Sequence, residues 1–253
     1  MGLFKSKNFS ERYILEGYSL KGRREKQEDS VLIMQGPIGD VLGLVADGVG
    51  GEPHGDFASK IVKEVFENTF AQMQKFDSIE SYIRKTIFVA GTMIMQKSLL
   101  EPEYRNSATT VSGFIITNQY EIYIFNVGDS RVYLFRKGEL KQLTKDHNLA
   151  QELQDLNLTK QQYSELYKHQ LTNYISSNIS KIYIDIEKKQ NFLVDDIIFA
   201  STDGLHGYLS HKEIENFIKK NRNKNLLAKK LCNWAYEKGS QDNIGVVICK
   251  RLI

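Results

Sequence analysis

Five carboxylates stand where apolar runs begin or end. Asp47 follows the run 41–46 and opens Asp47-Gly48-Val49-Gly50-Gly51, Asp203 follows 197–202 and precedes Gly204, and Asp242 stands just before 244–249. Glu28 and Asp29 stand just before Val31. Taken singly, an Asp-Gly pair is ordinary turn chemistry whatever the function. The set is harder to explain that way. If the runs are neighbouring strands, the acids converge at one sheet edge, where uncompensated charges repel one another by several kcal/mol. A divalent cation removes that repulsion. Oxygen ligands without His or Cys beside them suit a hard ion, Mg2+ or Mn2+, better than zinc. Glycine at position 48 lets its main-chain carbonyl approach such an ion closely.

The elements that must hold these acids are short, β-branched and aromatic runs: 31–34, 41–46, 110–116, 121–127, 131–136, 181–187, 197–200 and 244–249. In 181–187, Ile182, Ile184 and Ile186 point one way while Lys181, Asp185 and Glu187 point the other, as a sheet with one wet face requires. Helices interrupt the runs. Ala58, Ile61, Val62, Val65, Phe66, Thr69 and Phe70 form one apolar stripe at helical spacing. Ile83, Ile87, Ala90 and Ile94 mark a second helix, and Leu227, Leu231, Trp234 and Ala235 a third. Hairpin-like pairs with inserted helices predict antiparallel sheets covered by helices, rather than a doubly wound parallel sheet. Residues 148–170 are polar and rich in Gln, Leu and Lys, and read as an inserted, partly helical flap. No repeat or Gly/Ser/Pro-rich linker divides the chain, so 1–253 is expected to form a single domain.

Composition narrows the function classes. With 34 basic and 31 acidic residues the net charge is +3, and nothing demands nucleic acid. A chain 41% hydrophobic and 26% charged is globular rather than disordered. Cys232 and Cys249 lie in apolar settings without CxxC spacing, which disfavours disulfide or zinc chemistry and fits a reducing, cytoplasmic location. No run is long enough to be a transmembrane segment, and the N-terminus lacks the apolar core of a signal peptide. Met1-Gly2-Leu3-Phe4-Lys5-Ser6 does satisfy the pattern for an N-myristoyl anchor at Gly2, although an ordinary frayed terminus is the simpler reading.

The acidic motifs recur in a recognisable order. Arg24 with Glu28-Asp29 matches RxxxED, and Asp47-Gly48-Val49-Gly50-Gly51 matches DGxGG, followed by the helix start Gly55-Asp56-Phe57-Ala58-Ser59. Ala108-Thr109-Thr110 is close to GTT, Val127-Gly128-Asp129-Ser130-Arg131 matches VGDSR, and Thr144-Lys145-Asp146-His147 leads into the flap as TxDH. His169-Gln170-Leu171-Thr172 leaves the flap, and Ser201-Thr202-Asp203-Gly204-Leu205 and Gly239-Ser240-Gln241-Asp242-Asn243-Ile244 match SxDGL and GSxDNI. In this order and over nearly its whole length the chain resembles the metal-dependent (PPM) protein phosphatases of type 2C, with wording closest to bacterial, single-domain members.

The resemblance implies an α+β sandwich of two packed antiparallel sheets flanked by helices on both sides. It implies a serine/threonine phosphoprotein phosphatase with two core Mn2+ or Mg2+ ions and a weaker third. Asp47 would bridge the core ions, Asp203 and Asp242 would complete the first site, and Glu28 with the Gly48 carbonyl the second. Asp29 would order metal-bound water, and Asp129 with Asp203 would hold the third ion, unless Asp129 is simply the acid of a hairpin turn. A hydroxide bridging the core ions would attack the phosphomonoester in line, with Arg24 holding the phosphate oxygens through paired hydrogen bonds.

Phosphorylated proteins are the expected substrates of a monomer paired with a cognate Ser/Thr kinase. His54, His147, His169 and His206 invite assignment as general acids but read more simply as structural or exposed side chains. Departures are Val49, where some members have His; Ala108 for Gly; Gly245 for Thr; and Asn173-Tyr174-Ile175-Ser176 in place of RALG. The competing readings are a catalytically silent relative that binds a phosphoprotein or kinase, and a hydrolase of small phosphoesters. Retention of Arg24 and all the matching carboxylates favours an enzyme.

Overall fold

The computed structural model describes residues 3–4, 12–49, 54–157, 167 and 169–253. Gly2, Gly50, Gly51 and the flap positions 158–166 and 168 lie outside the described residues. Two antiparallel sheets form the centre. The five-stranded sheet consists, in spatial order, of β11 (Asp185–Lys189), β7 (Ile122–Val127), β6 (Val111–Ile116), β4 (Val41–Ala46) and β3 (Ser30–Gln35). The six-stranded sheet runs β1 (Leu3–Phe4), β2 (Tyr13–Leu20), β13 (Ile244–Arg251), β12 (Ile197–Ser201), β8 (Arg131–Arg136) and β9 (Glu139–Gln142). A short separate pair joins β5 (Ala108–Thr109) to β10 (Ile175–Ser176).

Period-two alternation distributes each strand between layers. On β4, Val41 and Val45 enter the core between the sheets, with Phe114, Ile198 and Val247. Leu42, Leu44 and Ala46 face outward beneath α1 (Gly55–Ala71) and α2 (Ile79–Leu100), against Val62, Phe66 and Ile83. On β13, Val247 and Cys249 turn inward, whereas Ile244, Val246 and Ile248 turn toward α5 (His211–Asn221) and α6 (Leu227–Glu237). The result is helix, sheet, sheet, helix. Each fully buried Val, Leu or Ile contributes about 1.5–3 kcal/mol, which makes the three apolar layers the main source of stability.

Segment 181–187 departs from the expected strand. A 3-10 turn occupies Ile179–Lys181, and pairing with β7 begins only at Asp185. Ile182, Ile184 and Ile186 still pack on the helix-covered core, so the apolar face was real although half the strand was not. β2 escaped sequence detection because apolar Ile14 stands on its half-buried face and Gly17 and Tyr18 are both buried. Tyr13 and Leu15 face the inter-sheet core and Tyr18 the α6 side, so the residue types do not alternate cleanly although burial does over 13–16. Glu16 on this strand accepts the Leu226 and Ala228 amides at 2.8 and 2.9 Å and so caps α6. α5 had a readable start, since Ser210 and Glu213 form a reciprocal capping box. The described part of the flap contains α3 (Leu149–Asp155), capped by the Asn148 side chain.

Candidate metal centre

The acids converge because the strand ends that carry them lie at one edge of the sandwich. Asp47 leaves β4 with its peptide clasped from β5 and the residue after it. Its amide donates to Thr110 Oγ1 at 3.1 Å, and its carbonyl accepts from Thr109 Oγ1 at 2.8 Å and from the Thr110 amide at 2.9 Å. Gly48 comes so close to the start of α1 that a Cβ there would stand 2.5 Å from the Gly55 carbonyl carbon. Asp203 follows β12 at the start of the short helix α4 (Asp203–His206), and Asp242 precedes β13. Asn243 ties that loop to the segment 21–29, its Nδ2 donating to the Lys21 and Lys26 carbonyls and its Oδ1 accepting the Glu28 amide.

A cleft of about 230 Å³ is walled by Arg24, Glu28, Asp47, Gly48, Asp129, Asp203 and Asp242, together with Val49, Thr110, His169, Leu171 and Asn243. Asp29 is not on this wall. It is buried, 6% exposed, and accepts a 2.8 Å hydrogen bond from Thr202 Oγ1. Among the described residues, no three acidic, His or Cys side chains stand close enough together to hold a metal ion as placed; the acids are spread around the cleft. The half-exposed Arg24 guanidinium spans to Asp242, Nη2 to Oδ2, at 2.8 Å. Despite partial burial it is held above the usual arginine range by Asp242, then by Asp203 and Glu28.

Electrostatics express the crowding. Burial drives Asp47 well above the usual carboxylate range, and the charges of Asp29, Asp203, Asp129 and Asp242 add to it. Burial does the same to Asp29, partly offset by the Thr202 hydrogen bond, and to Asp129, where Asp203 and Asp146 contribute. Burial and the Asp242 charge push Asp203 up to about 6. Glu28 is raised by burial and then by Asp56. The buried Oδ1 of Asp56 has no hydrogen-bond partner among the described residues. Self-repelling carboxylates beside an orphaned buried carboxylate oxygen make a predominantly oxygen donor set that fits hard divalent cations, with His169 the one imidazole on the wall.

The four histidines considered as acids separate clearly. His54 stacks on Tyr104 at 4.2 Å. His206 is half-buried, its imidazole pushed well below the usual histidine range by desolvation and by the Arg131 charge, with Nδ1 3.3 Å from Ser201 Oγ. His147 is buried in a hydrogen-bond network behind the cleft. His169, at the flap exit, lines the cleft itself, which sequence reasoning had not given it. Thr109, Thr110, Thr202 and Asn243 were likewise missed as positioning groups, although each sits inside a motif beside a candidate ligand.

Residues 16–239 match the family described as Protein phosphatase 2C. The chain is 29% identical over 243 residues to Serine/threonine phosphatase stp of Listeria monocytogenes, covering 91% of this chain and 93% of that protein. It superimposes on the S. agalactiae serine/threonine phosphatase with a TM-score of 0.81 at 26% identity, covering 94% of this chain and 99% of that one. It is also similar to the catalytic domain of serine threonine protein phosphatase PstP in complex with 2 manganese ions, with a TM-score of 0.80 at 22% identity over 96% of this chain and 99% of that one. The expected sandwich of two antiparallel sheets with flanking helices is the architecture found. With its motifs in register and its sheets in this arrangement, the chain belongs to the protein phosphatase 2C family.

Proposed function

We propose that this chain is a metal-dependent protein-serine/threonine phosphatase, acting as a single catalytic domain on phosphoproteins. The observation that carries the reading is the convergence of Glu28, Asp47, Asp129, Asp203 and Asp242 with Arg24 around one cleft. Asp47, Asp203 and Asp242 would hold one Mn2+ or Mg2+, Asp47, Glu28 and the Gly48 carbonyl a second, and Asp129 with Asp203 a weaker third. Such ions supply a hydroxide nucleophile near neutral pH and neutralise charge developing on the phosphoryl group. Asp29, buried and aligned by Thr202, is suited to holding a water by hydrogen bond rather than to meeting substrate. The relatives' descriptions as serine/threonine phosphatases support the substrate class. A monomer in the cytoplasm that reverses a cognate kinase completes the reading; the free, buried Cys232 and Cys249 are compatible with a reducing compartment.

Arg24 orients the phosphate. Asp242 engages one end of its guanidinium, and the planar fork carries further N–H donors for phosphate oxygens. Val49 has no proton to donate to the leaving alkoxide, which leaves that proton to a water in the cleft or to another side chain; His169 is the imidazole on the cleft wall.

Hydrolysis of a phosphothreonine peptide is expected to require added Mn2+ and to stop with chelator; turnover unchanged by exhaustive chelation would overturn the reading. Arg24→Ala is expected to raise KM about tenfold or more with a smaller change in kcat, since a charged hydrogen bond contributes about 1.5–3 kcal/mol. An unchanged KM would assign the phosphate to a different cation.

A further inference from the structure

His147 uses all its polar groups at once, between the Asp129 turn and the flap exit. It grips the Gly128 peptide from both sides: the His147 amide donates to the Gly128 carbonyl at 3.0 Å, and the Gly128 amide donates to His147 Nδ1 at 3.1 Å. Gly128 immediately precedes Asp129. On the other side, the His147 carbonyl accepts the Thr172 amide at 3.0 Å, and Asn173 Nδ2 stands 2.8 Å from the same Nδ1. Asn173 is oriented by Tyr183, whose carbonyl accepts from Nδ2 and whose amide donates to Oδ1. Two donors therefore meet at Nδ1, which leaves the ring proton on Nε2, 3.0 Å from the half-exposed Asp185 carboxylate. The ring is 3% exposed and packs 4.6 Å from Tyr183. The flap's two ends close beside it, Asn148 bridging to Leu171 and the Leu149 amide donating to the Gln170 carbonyl.

We propose that His147, oriented by Asp185 and Asn173, is a positioning residue that sets Asp129 and the His169–Leu171 wall of the cleft together. The proposal rests on the phosphatase reading, within which Asp129 holds the weakest ion and the flap exit borders the substrate. His147 lies behind the cleft and touches no reacting atom; it acts through the Gly128 peptide and the Thr172–Asn173 backbone. A displacement of about 1 Å at such a support costs roughly 100-fold in a well-ordered site, so a shared anchor couples the two walls.

The test compares His147→Leu, His147→Asn and Asp185→Leu with wild type by three readouts. These are amide hydrogen exchange over 126–131 and 169–174 in chelated protein, Mn2+ binding by electron paramagnetic resonance, and KM against kcat on a phosphopeptide. His147→Leu is expected to speed exchange in both segments, weaken the weakest Mn2+ step by about tenfold, in the range found for outer-shell partners of metal sites, and raise KM. His147→Asn keeps an acceptor where Nδ1 stood and is expected to recover protection at Gly128 and the Mn2+ affinity. Asp185→Leu, at a position that does not line the cleft, is expected to move all three in the direction of His147→Leu. A merely structural residue would lower the melting temperature and leave Mn2+ affinity and KM of the folded protein unchanged. That result in His147→Leu, or in Asp185→Leu if the first variant does not fold, overturns the proposal. Wild type that binds no Mn2+ overturns the metal reading itself, and this inference with it.

Discussion

Asp47→Asn and Asp203→Asn are each expected to lose Mn2+-dependent phosphopeptide hydrolysis by more than about a hundredfold, because even outer-shell partners of a metal site cost about 10- to 100-fold. The same substitutions are expected to raise the melting temperature of the chelated protein at neutral pH. The sign follows from linkage. Both carboxyls titrate above their usual 3.8 in the fold, Asp203 at about 6, mainly through burial. Their neutral forms are favoured by the fold, so this contribution to stability is complete below the unfolded pKa and is lost as pH rises through the folded one. Asparagine keeps the shape without the charge. The advantage of Asp203→Asn should therefore be small near pH 4 and grow through pH 6, that of Asp47→Asn should grow as pH rises above the usual carboxylate range, and both should reverse when Mn2+ is added, since only wild type then gains the ligand's stabilisation. Activity and melting curves across pH, with and without Mn2+, check both halves. Wild-type turnover in either variant would remove that residue from the metal site, and a lower metal-free melting temperature would mean that donors, not burial, dominate its environment.

Gly204→Ala is expected to destabilise the protein by about 3 kcal/mol or more, at or beyond the upper end of ordinary overpacking. A Cβ at this position would stand 1.8 Å from the Asn243 carbonyl oxygen and 3.2 Å from Ile244 Cγ1. Neither neighbour can retreat cheaply. Asn243 is anchored by hydrogen bonds to Lys21, Lys26 and Glu28, and Ile244 begins the strand paired with Leu20. The Gly204 carbonyl also accepts from Ser240 Oγ at 3.0 Å. Any relief must separate the Asp203 turn from the Asp242–Asn243 loop, which pulls apart two candidate ligands of the same ion. A lower urea midpoint and a loss of activity per folded molecule are the expected results. A midpoint equal to wild type would show that the two loops can part freely.

Both predictions concern residues visible as motifs, yet for different reasons. Asp47 and Asp203 were legible because an acid at the end of an apolar run, followed by glycine, carries its own signal. The role of Gly204 was not. Its neighbour Asn243 lies far away in sequence, and only strand packing brings the two backbones into contact. β4 and β13 announced themselves through β-branched runs, and the α1 stripe through its spacing. β2 did not, since apolar residues stand on both of its faces, one of them only half-buried, and half of the 181–187 strand was lost because Asn173 holds Tyr183 in a loop.

Local sequence was sufficient for what depends on residue type and short-range geometry: which acids end strands, which helices have an apolar stripe, and that the candidate ligands are carboxylates; the expectation that no His stands beside them failed at His169. Tertiary structure alone decided which of those groups share a cleft. It placed His169 on the wall and Asp29 behind it, joined Arg24 to Asp242, and put His147 between the Asp129 turn and the flap exit. The physical reason is that hydrogen bonds and charge interactions act within a few ångströms, whereas these partners lie on different strands and loops. Their encounter depends on how two sheets pack through apolar faces that carry none of the site's chemistry.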